Sequence, residues 1–152
     1  MNSWQKMDIF TDEFFMKKAL HEAEAAYAKG EIPVGAVIVA GNQIIAKSHN
    51  LTEILNDVTA HAEMQSITAA ANFLGGKYLK NCTLYVTLEP CQMCAGALYW
   101  SQISKIVFGA SDENRGYRVL GTQLHPKTEV VHGILEQECG DLVRKFFAER
   151  RR

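Results

Sequence analysis

The chain lacks long apolar runs, and no stretch approaches the ~20 residues needed to cross a bilayer. Its opening residues, Met1-Asn2-Ser3-Trp4-Gln5-Lys6-Met7-Asp8, contain no apolar core of a secretory signal. Net charge is almost absent, −1 over 152 residues, so no overall field draws the chain to nucleic acid or to a membrane. Cysteine is scarce: in the cytoplasmic setting expected from those opening residues, the four present are expected as thiols for metal or catalysis and not as a disulfide framework. Internal repeats and low-complexity stretches are missing as well. These absences argue against a membrane protein or a secreted disulfide scaffold, and the expectation is a cytoplasmic protein. Arginine is missing from the first 110 residues; all six lie at Arg115, Arg118, Arg144, Arg150, Arg151 and Arg152.

What remains is an ordinary globular composition, 47% apolar and 22% charged, in a length that suits one domain over residues 1–152. Thr11 or Asp12 is a good N-cap for a helix running to about Lys29, with Gly30 as its stop. Phe14, Phe15, Leu20, Ala23 and Ala26 give that helix an apolar stripe. Residues 34–40 and 43–48 are strands joined by the two-residue turn Gly41-Asn42, which predicts a hairpin with a buried first strand. A loop follows from Asn50 to about Asp57. The pattern then predicts a helix from Thr59 to about Phe73, ended by Gly75-Gly76, and a strand over 82–88 stopped by Pro90. A second helix is expected from near Cys91, then a strand over 105–109, an irregular stretch over 111–127, a short edge strand over 128–132 and a final helix from about Leu135. The strand–helix–strand units predict an α/β fold whose sheet is at least partly parallel, with helices on both faces.

Two stretches carry chemistry: Thr59-Ala60-His61-Ala62-Glu63 and Glu89-Pro90-Cys91-Gln92-Met93-Cys94. Together they supply one imidazole, two thiols and a carboxylate. His61, Cys91 and Cys94 suit a catalytic zinc, three N/S ligands with the fourth position left for water. Cys91 and Cys94 are i and i+3 at a helix start, where the dipole favours thiolate. Two thiolates cancel the charge of Zn²⁺, so the metal acidifies water less and a nearby base makes up the difference. Glu63 is the candidate proton shuttle, with zinc-bound hydroxide as nucleophile in hydrolytic deamination of an amidine-like carbon. His61 and Glu63 are i and i+2, about 200° apart on an ideal helix, so the expected roles differ: His61 on the metal, Glu63 reaching the water and substrate beyond it.

His61-Ala62-Glu63 followed by Pro90-Cys91-Gln92-Met93-Cys94 resembles the H-x-E…P-C-x-x-C signature of the zinc-dependent nucleoside and nucleotide deaminases. Within that group, the stretches 30–37, 59–63 and 83–97 resemble bacterial tRNA-specific adenosine deaminases. The resemblance implies a cytidine deaminase-like three-layer α/β/α sandwich with a five-stranded mixed sheet, one zinc per chain and a homodimer. It implies a tRNA anticodon stem-loop as partner, with wobble adenosine converted to inosine. It also implies that Asn50 contacts the base, that Ala62 offers its backbone N–H to the purine, and that Phe146-Phe147 with Arg150-Arg151 lies near the anticodon stem. Residues 113–126 depart from the family, being shorter and arginine-bearing where many members have small residues beside the substrate. The second reading is a deaminase of a free base or nucleoside, such as guanine or cytosine, with the same zinc site.

Blander readings stand beside these. Cys-x-x-Cys after a strand is also a dithiol redox pattern, but Pro90 and the upstream His61-x-Glu63 favour metal. A closed structural zinc site would leave Glu63 without a purpose. Cys82 and Cys139 read as core thiols. Taken alone, Asn50 is a turn residue. Asp112, after a strand, caps a turn or touches substrate. His125-Pro126 is loop punctuation, and Trp4 is expected to dock on the body or on a partner subunit. The last nine residues hold five cations, two aromatics and one acid. They read equally as a nucleic-acid contact or as a solvated helix end.

Overall fold

In the computed structural model, residues 9–150 are described; Trp4, Arg151 and Arg152 lie outside them. Helix α1 (Asp12–Ala28) starts at Thr11, whose hydroxyl accepts the Phe14 N–H at 3.1 Å, and ends at Lys29 before Gly30 at φ +77°. Its buried line is Phe15, Met16, Ala19, Ala23 and Ala26, with Phe14 and Leu20 on the flank. The hairpin of β1 (Gly35–Ala40) and β2 (Gln43–His49) turns at 41–42, with a bulge between Ile38 and Val39.

Helix α2 spans Ala62–Leu74, β3 Cys82–Leu88, α3 Gln92–Ser101 and β4 Lys105–Ala110. The stretch expected to be irregular contains one helical turn, α4 (Tyr117–Leu120). Strand β5 (Glu129–His132) and helix α5 (Glu136–Arg150) follow. One correction concerns the start of α2. Its N-cap is His61, not Thr59, because the Thr59 N–H and hydroxyl both bond Asp57 Oδ1, at 2.8 and 2.7 Å, inside the preceding turn.

The sheet order is β2-β1-β3-β4-β5. Strand β1 is antiparallel to both β2 and β3, while β3, β4 and β5 are parallel. It follows that β2, β3, β4 and β5 all point the same way, and the chain leaves each of them at one end of the sheet. Side chains alternate across the sheet. Ile38, Leu84, Val86, Ile106 and Phe108 pack with Ala62, Ala70, Ala95 and Leu98 of α2 and α3. Val37, Val39, Tyr85 and Val107 pack with Phe15, Met16 and Ala19 of α1 and Cys139 of α5. The result is a three-layer α/β/α sandwich. Helix α1 rests on β1 at Gly35, where an added Cβ would lie 2.1 Å from the Ala19 carbonyl oxygen and 2.4 Å from the Ala23 nitrogen.

Candidate metal centre and its cavity

The shared exit end of the strands gathers the chemistry, as open α/β sheets do. Strand β2 delivers Asn50, β3 delivers Glu89 and Cys91, and β4 delivers Ser111 and Asp112. His61 has extended dihedrals (φ −70°, ψ 154°) and makes no side-chain cap bond, so its ring is released from the α2 helical wheel. The angular conflict with Glu63 therefore disappears: His61 precedes the helix, and Glu63 is its second residue. Cys91 likewise caps α3 in an extended conformation, and Cys94 sits buried in that helix's first turn.

These positions bring His61 Nδ1 to 3.6 Å from Cys91 Sγ and 3.5 Å from Cys94 Sγ. All three donor atoms lie within 4.8 Å of one another. A tetrahedral zinc with bonds of about 2.0–2.3 Å sets N and S ligands roughly 3.6 Å apart. The donor set and its spacing therefore fit zinc. No other group of three or more such side chains with this spacing occurs among the described residues.

The electrostatics set Cys91 apart from its three neighbours. A hydrogen bond from Cys94, helped by one from His61, draws the Cys91 thiol down to about 4. The bond to Cys91 and burial push Cys94 upward. The bond to Cys91 raises His61. Burial lifts the Glu63 carboxyl to about 7, a range suited to giving and taking a proton near neutrality.

The centre opens into a cavity of about 1020 Å³. His61, Ala62, Glu63 and Cys91 lie in its wall, Ile32 and Val34 add apolar surface, and Asn50 and Thr52 lie at one side. Asn50 is buried; its amide donates to the Ile32 carbonyl at 3.4 Å and its Oδ1 accepts the Thr52 N–H at 3.3 Å, so it is a turn residue that also lines the cavity. Ala62, first in α2, keeps a backbone N–H with no intrahelical acceptor. Its carbonyl accepts the Ser48 hydroxyl at 2.6 Å.

Helix α5 forms a further wall through Glu136, Gln137, Gly140, Val143, Arg144 and Phe147. Of the aromatic and basic residues expected here, Phe147 faces the cavity. Phe146 is buried against Tyr27. The Arg150 guanidinium lies over Phe146 and donates to the Gly30 carbonyl at 3.0 Å. Cys82 and Cys139 are buried free thiols outside the His61, Cys91 and Cys94 group. Asp112 both lines the cavity and caps a turn, accepting the Asn114 and Arg115 N–H groups.

Two buried carboxylates escaped the reading of the sequence. Glu31 accepts the backbone N–H groups of Glu53 and Ile54 at 3.0 and 2.8 Å, holding the 51–55 loop beside Asn50. Glu89 accepts the Asp112 N–H at 3.1 Å and pairs with Arg118 at 3.0 Å. The signal for either is slight, an acid one or two residues before a proline, in Glu31-Ile32-Pro33 and Leu88-Glu89-Pro90.

The profile of the cytidine and deoxycytidylate deaminase zinc-binding region matches residues 10–110. The chain belongs to this deaminase family. It is 47% identical over 149 residues to the tRNA-specific adenosine deaminase of Bacillus subtilis (strain 168), covering 93% of this chain and 91% of that protein. Among solved structures, one from work on A-to-I editing by tRNA:A34 deaminases at the wobble position superposes with a TM-score of 0.79 at 41% identity. That match covers 84% of this chain and 97% of the other. The guanine deaminase of Bacillus subtilis is more distant in shape, with a TM-score of 0.61 at 38% identity, covering 73% of this chain and 66% of its own. The deaminase has an α/β fold with a five-stranded mixed sheet that matches these neighbours, and no helix among its described residues is long and apolar enough to cross a membrane.

Proposed function

We propose that this deaminase hydrolyses the wobble adenosine of a tRNA anticodon to inosine, taking up water and releasing ammonia. The observation that carries the reading is the convergence of the imidazole, the Cys91 thiol and the buried Glu63 carboxyl in the wall of one cavity, with the Cys94 thiol buried directly behind them. That cavity, about 1020 Å³, extends along α5 from Glu136 to Phe147. The near end-to-end similarity to tRNA-specific adenosine deaminases supports the choice of substrate.

His61, Cys91 and Cys94 would hold one zinc per chain. A bound zinc would supply a water acidified enough for a nearby carboxylate to deprotonate. Glu63 takes the proton from the attacking water and passes it to the purine ring nitrogen, then serves the departing amine in the same way. Asn50 and the Ala62 N–H orient the base, which must leave its stack to enter the cavity. Phe147 and Arg144 of α5 contact the flanking nucleotides by stacking and charge.

The chain works as a homodimer in the cytoplasm. Exposed apolar side chains on α3 and α4, Trp100 and Val119 among them, support a partner surface, and four free cysteines suit a reducing compartment. Sedimentation equilibrium at micromolar concentration tests the dimer, and a monomer throughout removes it.

The second reading, turnover of a free base, draws on the guanine deaminase likeness. Mass-spectrometric deamination of an anticodon stem-loop carrying a wobble adenosine separates the two, with guanine, adenine, cytosine and cytidine run in parallel. Inosine in the RNA with the small molecules untouched is the expected result. Turnover of a free base with inert RNA overturns the tRNA reading while keeping the deaminase chemistry.

A further inference from the structure

The arginine-bearing segment after β4 is pinned by one buried carboxylate. The Glu89 side chain is 1% exposed. Its Oε1 accepts the Asp112 N–H at 3.1 Å and Arg118 Nη2 at 3.0 Å. Its Oε2 accepts the Arg118 N–H at 3.1 Å and Arg118 Nε at 3.2 Å. A carboxylate this deep requires such partners, and the paired Nε/Nη2 contact needs the planar fork of an arginine.

The other end of the clamp is equally specific. Arg118 Nη2 also donates to Ser111 Oγ at 2.8 Å, and the guanidinium lies 5.0 Å from the ring centroid of the fully buried Phe108. Gly116 sits so close that an added Cβ would be 2.4 Å from the Glu89 carboxyl group. The Tyr117 N–H donates to the Pro90 carbonyl at 2.9 Å, and Gly116 bridges to Cys91. The segment is thus fastened to the turn that carries Cys91.

Ser111, Asp112, Glu113, Asn114 and Arg115 line the cavity, whereas Arg118 does not. Whatever Arg118 does for the substrate, it does through this segment. We infer that Arg118 is a positioning residue: through Glu89 it holds residues 111–117 against the Cys91 turn, so that the Asp112–Arg115 stretch meets the nucleotides beside the reacting base in one fixed arrangement. The identity of those nucleotides as RNA rests on the function proposed above; the clamp itself does not.

The test uses the zinc-loaded protein with Arg118→Ala and Arg118→Lys. Hydrogen exchange read by mass spectrometry reports the clamp without reference to activity. Expected in Arg118→Ala is faster exchange across 111–118, with exchange across β3 and zinc content as in the wild type. On the stem-loop RNA, KM should rise about tenfold while kcat changes less, as for lost positioning without lost chemistry. Arg118→Lys keeps the charge but not the fork, so both readouts should fall between; if Arg118→Ala does not fold, this variant carries the test, and wild-type values for it in both overturn the inference. Unchanged exchange across 111–118 also overturns it, as does a loosened segment with an unmoved KM, or a joint loss of zinc and kcat at constant KM. If wild-type protein is inert on RNA, the tRNA reading alone fails, and exchange together with KM for the base it does turn over decides the role of Arg118.

Discussion

His61 and Glu63 show how much one residue's backbone state matters. Two positions apart, they would face opposite sides of a helix; because His61 is the extended N-cap and Glu63 the second helical residue, both serve one cavity. Glu63→Gln keeps the shape and removes the carboxyl proposed as proton carrier. Its expected kcat is lower by about 10²–10⁴, with zinc content by elemental analysis as in the wild type. A wild-type rate would remove Glu63 from the chemistry. The thiols give a second residue-level prediction. Cys91 is half-buried and held at about 4, whereas Cys82, Cys94 and Cys139 are buried and pushed upward. Metal-free protein treated briefly with iodoacetamide should be modified first at Cys91, and saturating zinc should protect it. Peptide mapping reads the order, and modification spread evenly over the four cysteines contradicts it.

At the scale of elements, the centre depends on how helices are seated on the sheet. Helix α1 lies directly on β1 because Gly35 has no side chain, and the Gly35 N–H donates to the buried Thr87 hydroxyl at 3.1 Å. Gly35→Ala forces a methyl group into the α1 backbone, an overpacking cost of about 1–3 kcal/mol. At roughly 2–4 °C per kcal/mol for a chain of this size, the melting temperature should drop measurably. An unchanged melting curve would mean that α1 shifts freely on the sheet. The elements themselves were legible in the chain. Thr11 and Gly30 bound α1 because capping is local, and the Gly41-Asn42 turn is set by its own dihedrals. The start of α2 was misplaced because Asp57 takes both donors of Thr59, a competition that the preference of threonine for N-caps does not reveal.

For the whole molecule, the candidate metal donors belong to the starts of two helices, α2 and α3, which follow different strands. Zinc bound only by the folded chain adds about 4 kcal/mol at about a thousandfold excess over its Kd. Chelation should therefore lower the melting temperature by roughly 10 °C, and added zinc should restore it in differential scanning fluorimetry. No change on chelation would mean that the three donors hold no structural share of the metal. Read by itself, the sequence indicated the candidate donors His61, Cys91 and Cys94 and the order of the strands and helices apart from the single turn α4, because these rest on residue type and local pattern, while the deaminase class came from the likeness of its two motifs to a family. The tertiary structure alone decided that Glu31 and Glu89 act as buried loop anchors, that Phe147 faces the cavity while Phe146 and Arg150 turn to α1, and that Arg118 reaches back 29 residues to Glu89. Such contacts arise where packed layers bring separate segments to one end of the sheet, and no local periodicity encodes which distant partner a side chain meets there.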